Sequence, residues 1–148
     1  RFMFNVVLDY PSLEEELEVV RNTTSNKDVK LNKVMDGAHI SQIQSLIKKI
    51  PITDNVTEYA VKLVAKTRPN TEYAHEKVNQ FVSWGAGPRA SQYLVIGAKC
   101  HAAINGKFSP DIEDVKAVAI PILRHRMVKN YKAEAEGLSI ENIINELL

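Results

Sequence analysis

The chain has 148 residues, of which 45% are apolar, and its 19 lysines and arginines against 18 aspartates and glutamates leave a net charge of +1. This length suits one compact domain, or a small domain with an appendage. The balanced charge gives no electrostatic argument for binding nucleic acid or an anionic membrane. The single cysteine, Cys100, excludes a disulfide framework and a zinc knuckle. No apolar run approaches the length of a membrane span, and a cytoplasmic location is expected.

The first residues predict one strand and one helix. Residues 2–8 have the aromatic and β-branched character of a short strand, whose sheet partners are expected outside this chain because a lone strand cannot satisfy its own backbone. Ser12, with Glu15 three positions later, forms a capping-box pattern that predicts a helix ending near Arg21. The polar residues 22–33 are expected to be a connector.

From about residue 33 onward the pattern is wholly helical. Apolar residues recur at helical spacing, and prolines, glycines and capping residues interrupt them. Ser109 and Pro110 are expected to begin one of these helices, with the proline at its first position. The predicted helices cover about residues 40–50, 54–68, 73–81, 88–104, 110–123 and 139–147.

Residues 85–91, with the sequence GAGPRAS, contain the most informative charge. Pro88 suits the first position of a helix, where a missing N–H costs nothing. Arg89 would then lie in the first turn, where the helix dipole disfavours a cation. An arginine in this place is best explained by an anion, such as a phosphate, at the same helix end. The alternative is a solvated surface arginine or a surface ion pair.

Other chemically active residue types give weaker patterns. The four histidines share no spacing typical of a metal site, and His125 is interpreted as a packed core residue or an ion-pair partner. Trp84 is interpreted as a hinge or core residue, with stacking on an adenine as the alternative. The chain has no glycine-rich run followed by Lys-Ser or Lys-Thr.

Five segments, taken in order and spacing, resemble the MoxR family of AAA+ ATPases over nearly the whole chain. They are RFMF at 1–4, DYP at 9–11 before the glutamate-rich helix, GAGPRAS at 85–91, SPDIEDV at 109–115 and LRHR at 123–126. The resemblance implies a mainly α fold. Residues 1–32 would be the tail of the αβα P-loop core and its connector, and residues 33–148 would be the helical lid. The chain would then be a C-terminal fragment, inactive alone, whose phosphate-binding loop and magnesium motif lie upstream.

The resemblance also assigns site residues. Arg89 looks like the second sensor arginine, which contacts the terminal phosphates of ATP bound by the same subunit. Arg1 resembles the arginine finger that reaches the neighbouring subunit's site. Pro88 belongs to the same ATP-binding motif, and Tyr10 and Pro11 are candidates for contact with adenine. No metal-ligating residue is assigned in this chain.

The resemblance implies ATP hydrolysis with Mg²⁺ in a hexameric ring of identical subunits. Such rings would remodel substrate proteins or insert a metal cofactor, and a von Willebrand factor A-type protein is a possible partner. Neither a membrane nor nucleic acid is an expected partner. The alternative is a non-catalytic, winged-helix-like module that binds protein or DNA, although the lack of a basic recognition helix counts against DNA.

Overall fold

A computed structural model describes residues 1–25 and 30–148 of the chain, so the predicted connector at 22–33 lies partly outside the described residues. The fold is mainly helical, as predicted. Within the two described ranges, none of the helices is both long and apolar enough to cross a bilayer. The elements are α1 (Leu13–Thr23), α2 (Gly37–Lys49), α3 (Asp54–Lys66), α4 (Glu76–Phe81), β1 (Val82–Trp84), α5 (Pro88–Ile104), α6 (Ile112–Leu123), β2 (Val128–Lys129), α7 (Tyr131–Ala135) and α8 (Ile140–Asn145).

Helices α3, α5 and α6 enclose the hydrophobic core. Helix α5 packs along α6, α3 packs on both of them, and α8 closes the far side of α6. Their inward faces carry aliphatic side chains at helical spacing, and burial of these faces is the main source of stability. The largest fully buried apolar side chains are Leu63, Val64, Val78, Leu94, Val115, Ile122, Leu123 and Ile144.

A short antiparallel strand pair interrupts the helices. Val82 of β1 lies opposite Lys129 of β2, and Trp84 lies opposite Val128. The expectation that the chain is wholly helical beyond residue 33 is therefore wrong at this point. The two strands have three and two residues, too few to give the alternating pattern by which a strand is recognised in a sequence.

Side-chain caps fix several helix ends. The capping box of Ser12 and Glu15 forms as predicted. The start of α6 differs from its prediction, because Asp111 rather than Ser109 is the N-cap and Pro110 precedes the helix. The carboxylate of Asp111 accepts from the backbone N–H of Asp114 at 3.1 Å, and Asp114 accepts in return from that of Asp111 at 2.9 Å. Reciprocal capping satisfies two N–H groups that a proline start would leave open.

Residues 2–8 form no strand within the described residues, and because their sheet partners were expected outside this chain, the strand stays a prediction. Its backbone is extended, but no described segment pairs with it in a sheet. Instead, the N–H of Asn5 donates to the carbonyl of Pro121 in the last turn of α6, at 2.8 Å. A strand needs a neighbour to satisfy its alternate backbone groups, and without one the segment packs on helices.

A buried carboxylate joins the end of α5 to the start of α6. Asp114 has no exposed surface; its carboxylate accepts from Nδ1 of His101 at 2.7 Å and from Nζ of Lys107 at 3.1 Å. Burial alone would raise its pKa, but the hydrogen bonds from Asp111, His101 and Lys107 outweigh it and lower the pKa from 3.8 to about 2. The ionised form of Asp114 therefore stabilises the fold.

Asp114→Asn should lower the free energy of unfolding at neutral pH by about 2–3 kcal/mol, because a buried charged hydrogen-bond acceptor is lost. The native pKa is depressed, so this contribution is present above pH 4 and is lost as the pH falls towards 2. Urea unfolding at several pH values measures it, with the exposed Glu113→Gln on the same helix as the control. A gap between parent and Asp114→Asn that persists undiminished at pH 2 would contradict the assignment.

Candidate anion site at the start of helix α5

The loop before α5 is fastened to the end of α3. The backbone N–H of Ala86 donates to the hydroxyl of the buried Thr67 at 2.9 Å. Nε of Arg68 donates to the carbonyl of Ala86, also at 2.9 Å. Both polar groups of Ala86 are thus satisfied by two adjacent residues, so α5 begins at a fixed place.

Gly85 allows this close approach. A Cβ atom at Gly85 would lie 2.2 Å from the carbonyl oxygen of Thr67 and 2.7 Å from Cα of Arg68. Real Cβ atoms do not approach backbone this closely, so any side chain here would push the loop away from α3. Gly87 lies two residues later, and a Cβ there would meet nothing within 4 Å. The two glycines of the motif therefore have different roles.

The first turn of α5 carries no side-chain cap. Gly87 is the N-cap residue and Pro88 begins the helix, as predicted. Pro88 has no N–H, and the N–H of Ala90 donates to the carbonyl of Gly87 at 2.9 Å. Within the described residues, the N–H of Arg89 is therefore the backbone donor of this first turn that is available to an acceptor. Arg89 follows; it is exposed and forms no ion pair or side-chain hydrogen bond within residues 1–25 and 30–148. Arg89, which the sequence analysis predicted as the anion-binding residue, therefore exposes its guanidinium group to solvent at the start of α5.

A second arginine stands close to Arg89. The guanidinium of Arg126 lies 5.1 Å from the ring centroid of Tyr93, which is one helical turn beyond Arg89 on the same face of α5. Burial, and then the charge of Arg89, lower the pKa of Arg126, while Tyr93 opposes them. The hydroxyl of Tyr93 donates to the carbonyl of Arg1 at 2.8 Å, so the backbone of Arg1 is held against this face of α5. Like charges gathered here favour an anionic ligand.

The other predicted contacts are divided between two surface grooves. Pro88 lines a groove of about 480 Å³ with Trp84, Arg68 and residues 69–70. Tyr10 and Pro11 line a separate groove of about 650 Å³, where Glu15 and Glu18 make the wall acidic. The two grooves share no residue. The structure therefore brings Arg89, Pro88 and Arg1 towards one end of α5, but it does not bring Tyr10 and Pro11 to them.

Two expectations about single residues are corrected. Trp84 is 74% exposed, so it is not a core residue. It is the last residue of the three-residue strand β1. His125 is exposed rather than packed in the core, and its Nε2 lies 3.3 Å from the carbonyl of Phe2 with no carboxylate partner in the described ranges. Among the same residues, no group of three histidine, cysteine or acidic side chains could hold a metal ion.

Tyr93, Arg126 and Thr67 are not among the predicted site residues. Their roles depend on contacts between helices distant in the sequence, which spacing alone does not give. The sequence does carry one signal for Tyr93: it follows Arg89 by four positions and therefore lies on the same face of the predicted helix.

Residues 75–147 match the family described as the AAA lid domain. The whole chain is 30% identical to Chaperone MoxR1 of Mycobacterium tuberculosis (strain ATCC 25618 / H37Rv), covering 39% of that protein. It is also 28% identical to the uncharacterized protein YeaC of Bacillus subtilis (strain 168), covering 44%. A crystal structure of a "putative ATPase" from Cytophaga hutchinsonii ATCC 33406 superposes with a TM-score of 0.89 at 36% identity, over 99% of this chain and 45% of that one.

The fold and these matches define an AAA lid domain at residues 75–147. The chain is a MoxR-like AAA+ sequence, and it spans less than half the length of the relatives to which it is similar. The predicted fold class and family are confirmed. The matches favour the ATPase interpretation over the winged-helix-like binding module.

Proposed function

We propose that the full-length protein hydrolyses ATP and that this chain supplies the arginines that stabilise the transferring phosphoryl group. The observation that carries the proposal is Arg89, which is exposed at a helix start without a side-chain cap and has no ion pair or side-chain hydrogen bond among the described residues. Phosphoryl transfer spreads negative charge over the phosphate oxygens, and fixed guanidinium groups stabilise this charge without giving up a proton. Arg89 is the sensor arginine in this proposal, and Pro88 fixes the helix that carries it.

Arg1 acts with Arg89 on one bound nucleotide in this proposal. Tyr93, whose hydroxyl holds the carbonyl of Arg1, is only about 6 Å along the helix axis from Arg89. The side chain of Tyr93 thus ties the backbone of Arg1 to the face of α5 that carries Arg89, and we propose that the two arginines serve one ATP molecule. The division expected from the sequence, with Arg89 in its own subunit's site and Arg1 in the neighbour's, stays a prediction, and the shared site is the alternative proposed to it.

The remaining parts of the function follow the family. ATP would be the substrate and Mg²⁺ its companion ion, which the upstream P-loop core would hold, as the family resemblance implies. Tyr10 and Pro11 would contact adenine from their separate groove. A homo-oligomeric hexamer in the cytoplasm would remodel substrate proteins or insert a metal cofactor with a von Willebrand factor A-type partner. The relative named as a chaperone supports this use.

Mixed rings test the shared site. Full-length subunits with Arg1→Ala or Arg89→Ala are each combined with subunits that cannot bind ATP. Since Arg1 is the proposed finger for a neighbouring site, both mixtures should regain ATP hydrolysis that neither component shows alone, because the intact subunit supplies both arginines to its neighbour. Ring formation is checked by mass. Recovery with one variant but not with the other would contradict the shared site, and recovery with neither would contradict the finger role of Arg1.

A further inference from the structure

The first five residues form a strap that lies across α5 and α6, and donors from the lid hold three successive carbonyls of this strap. The hydroxyl of Tyr93 donates to the carbonyl of Arg1 at 2.8 Å. The guanidinium of Arg126 donates to the carbonyls of Phe2 and Met3, the latter at 3.1 Å. An extended segment without a sheet partner thus has its acceptors satisfied by side chains.

Arg126 is the centre of this arrangement. Besides the two strap carbonyls, its guanidinium donates to the carbonyl of Ile122, in the last turn of α6. Its cation faces the ring of Tyr93. Arginine suits this task because its planar group presents several donors in fixed directions. With these donors used on backbone carbonyls, Arg126 is committed to the strap and not to a phosphate.

The strap is also fixed at two points that do not involve Arg126. A Cβ atom at Gly97 of α5 would lie 3.2 Å from Cε of Met3, so the missing side chain makes room for this methionine. The N–H of Asn5 donates to the carbonyl of Pro121 at 2.8 Å. The hydrogen bond of Asn5 and the packing of Met3 against Gly97 together define one position for the strap on the lid.

We propose that Arg126 is a positioning residue that fastens the strap to the lid and thereby sets Arg1 beside Arg89. The proposal rests on the function proposed above for this arginine pair. Arg1 has no ion pair of its own in the described parts of the chain, so its place depends on how its backbone is held. A lid that carries the strap with it moves both arginines as one unit, and the geometry of the pair is then kept at every lid angle.

The first test measures hydrogen exchange at the amide of Asn5 in the full-length protein. This amide lies outside the helices and strands, so its protection reports the bond to Pro121. Arg126→Ala should lower its protection about tenfold or more, since two anchors are lost upstream, and Arg126→Lys should restore only part. Glu113→Gln, an exposed change on α6, is the control. Unchanged protection of Asn5 in Arg126→Ala, with the α5 and α6 amides intact, would overturn the proposal.

The second test uses ATP hydrolysis by the full-length protein. Arg126→Ala should lower kcat and leave KM unchanged, and adding it to Arg1→Ala should cause no further loss, because Arg126 acts through Arg1. Met3→Ala removes the side chain that fills the space at Gly97 and should give a smaller loss of kcat. This variant keeps the test possible if Arg126→Ala does not fold. Additive losses of kcat in the Arg1→Ala, Arg126→Ala double variant would overturn the positioning role. So would a full kcat in a variant whose Asn5 amide has lost its protection. Full activity of Arg1→Ala would instead contradict the proposed function, while the exchange result still stood.

Discussion

Arg89→Ala in the full-length protein is expected to slow ATP hydrolysis by roughly ten- to thousandfold, the range typical of losing one donor that stabilises transition-state charge. The fold should be unchanged, because the side chain is exposed and has no partner in the described ranges. Steady-state phosphate release, with circular dichroism as the check on folding, measures both. Arg89→Lys should recover only part of the rate, since an ammonium keeps the charge but loses the planar two-point contact with phosphate oxygens.

Gln92→Ala is the matched control for this experiment. Gln92 is exposed on the same helix one turn further on and makes no side-chain hydrogen bond within the described residues, so its truncation should leave the rate unchanged. Parent-like hydrolysis by both Arg89→Ala and Arg89→Lys would show that Arg89 is an ordinary solvated arginine. The proposal that this helix start binds phosphate would then be wrong.

Gly85→Ala is expected to destabilise the chain by about 3 kcal/mol or more, because its methyl group would enter the backbone of Thr67 and Arg68. The loop cannot yield cheaply, since Ala86 is held on both its polar groups by the same two residues. Urea unfolding followed by the fluorescence of Trp84 measures the effect directly, because this is the single tryptophan and it adjoins Gly85.

Gly87→Ala is the control for this substitution. Its φ of −84° suits any residue, and a methyl group there would meet nothing within 4 Å. It should change the free energy of unfolding by less than about 1 kcal/mol, because the restriction of the unfolded state is offset by the poorer N-cap preference of alanine. Equal stability of the two alanine variants would contradict the close approach at Gly85.

The helices could be predicted from the sequence because their signals are local. Ser12 and Glu15 stand three residues apart, and the proline before Arg89 fixes the start of α5, so both features were recognised without knowledge of the fold. The start of α6 was misplaced because Ser109 and Pro110 resemble a helix start as well as Asp111 does. Only the buried position of Asp114 decides between them.

The strand pair and the strap could not be predicted because both depend on residues far apart in the chain. Trp84 pairs with Val128, and Arg126 holds Phe2, across separations of 44 and 124 residues. Aromatic and β-branched residues at 2–8 indicate a strand by propensity, but pairing requires a neighbour that the described residues do not supply. The candidate anion site was therefore recognised from Arg89, Pro88 and Arg1, without Tyr93, Arg126 and Thr67, whose contacts the fold decides.

The segment that follows the strap affects how this chain behaves at high concentration. Val6, Val7 and Leu8 are 72%, 61% and 88% exposed, and no segment among residues 1–25 and 30–148 pairs with their backbone in a sheet. Such apolar, unpaired stretches pair readily with their own copies and promote aggregation. With a net charge of only +1, repulsion between molecules offers little protection at neutral pH. Charged substitutions at Val7 or Leu8 would improve colloidal stability without touching the core or the arginines.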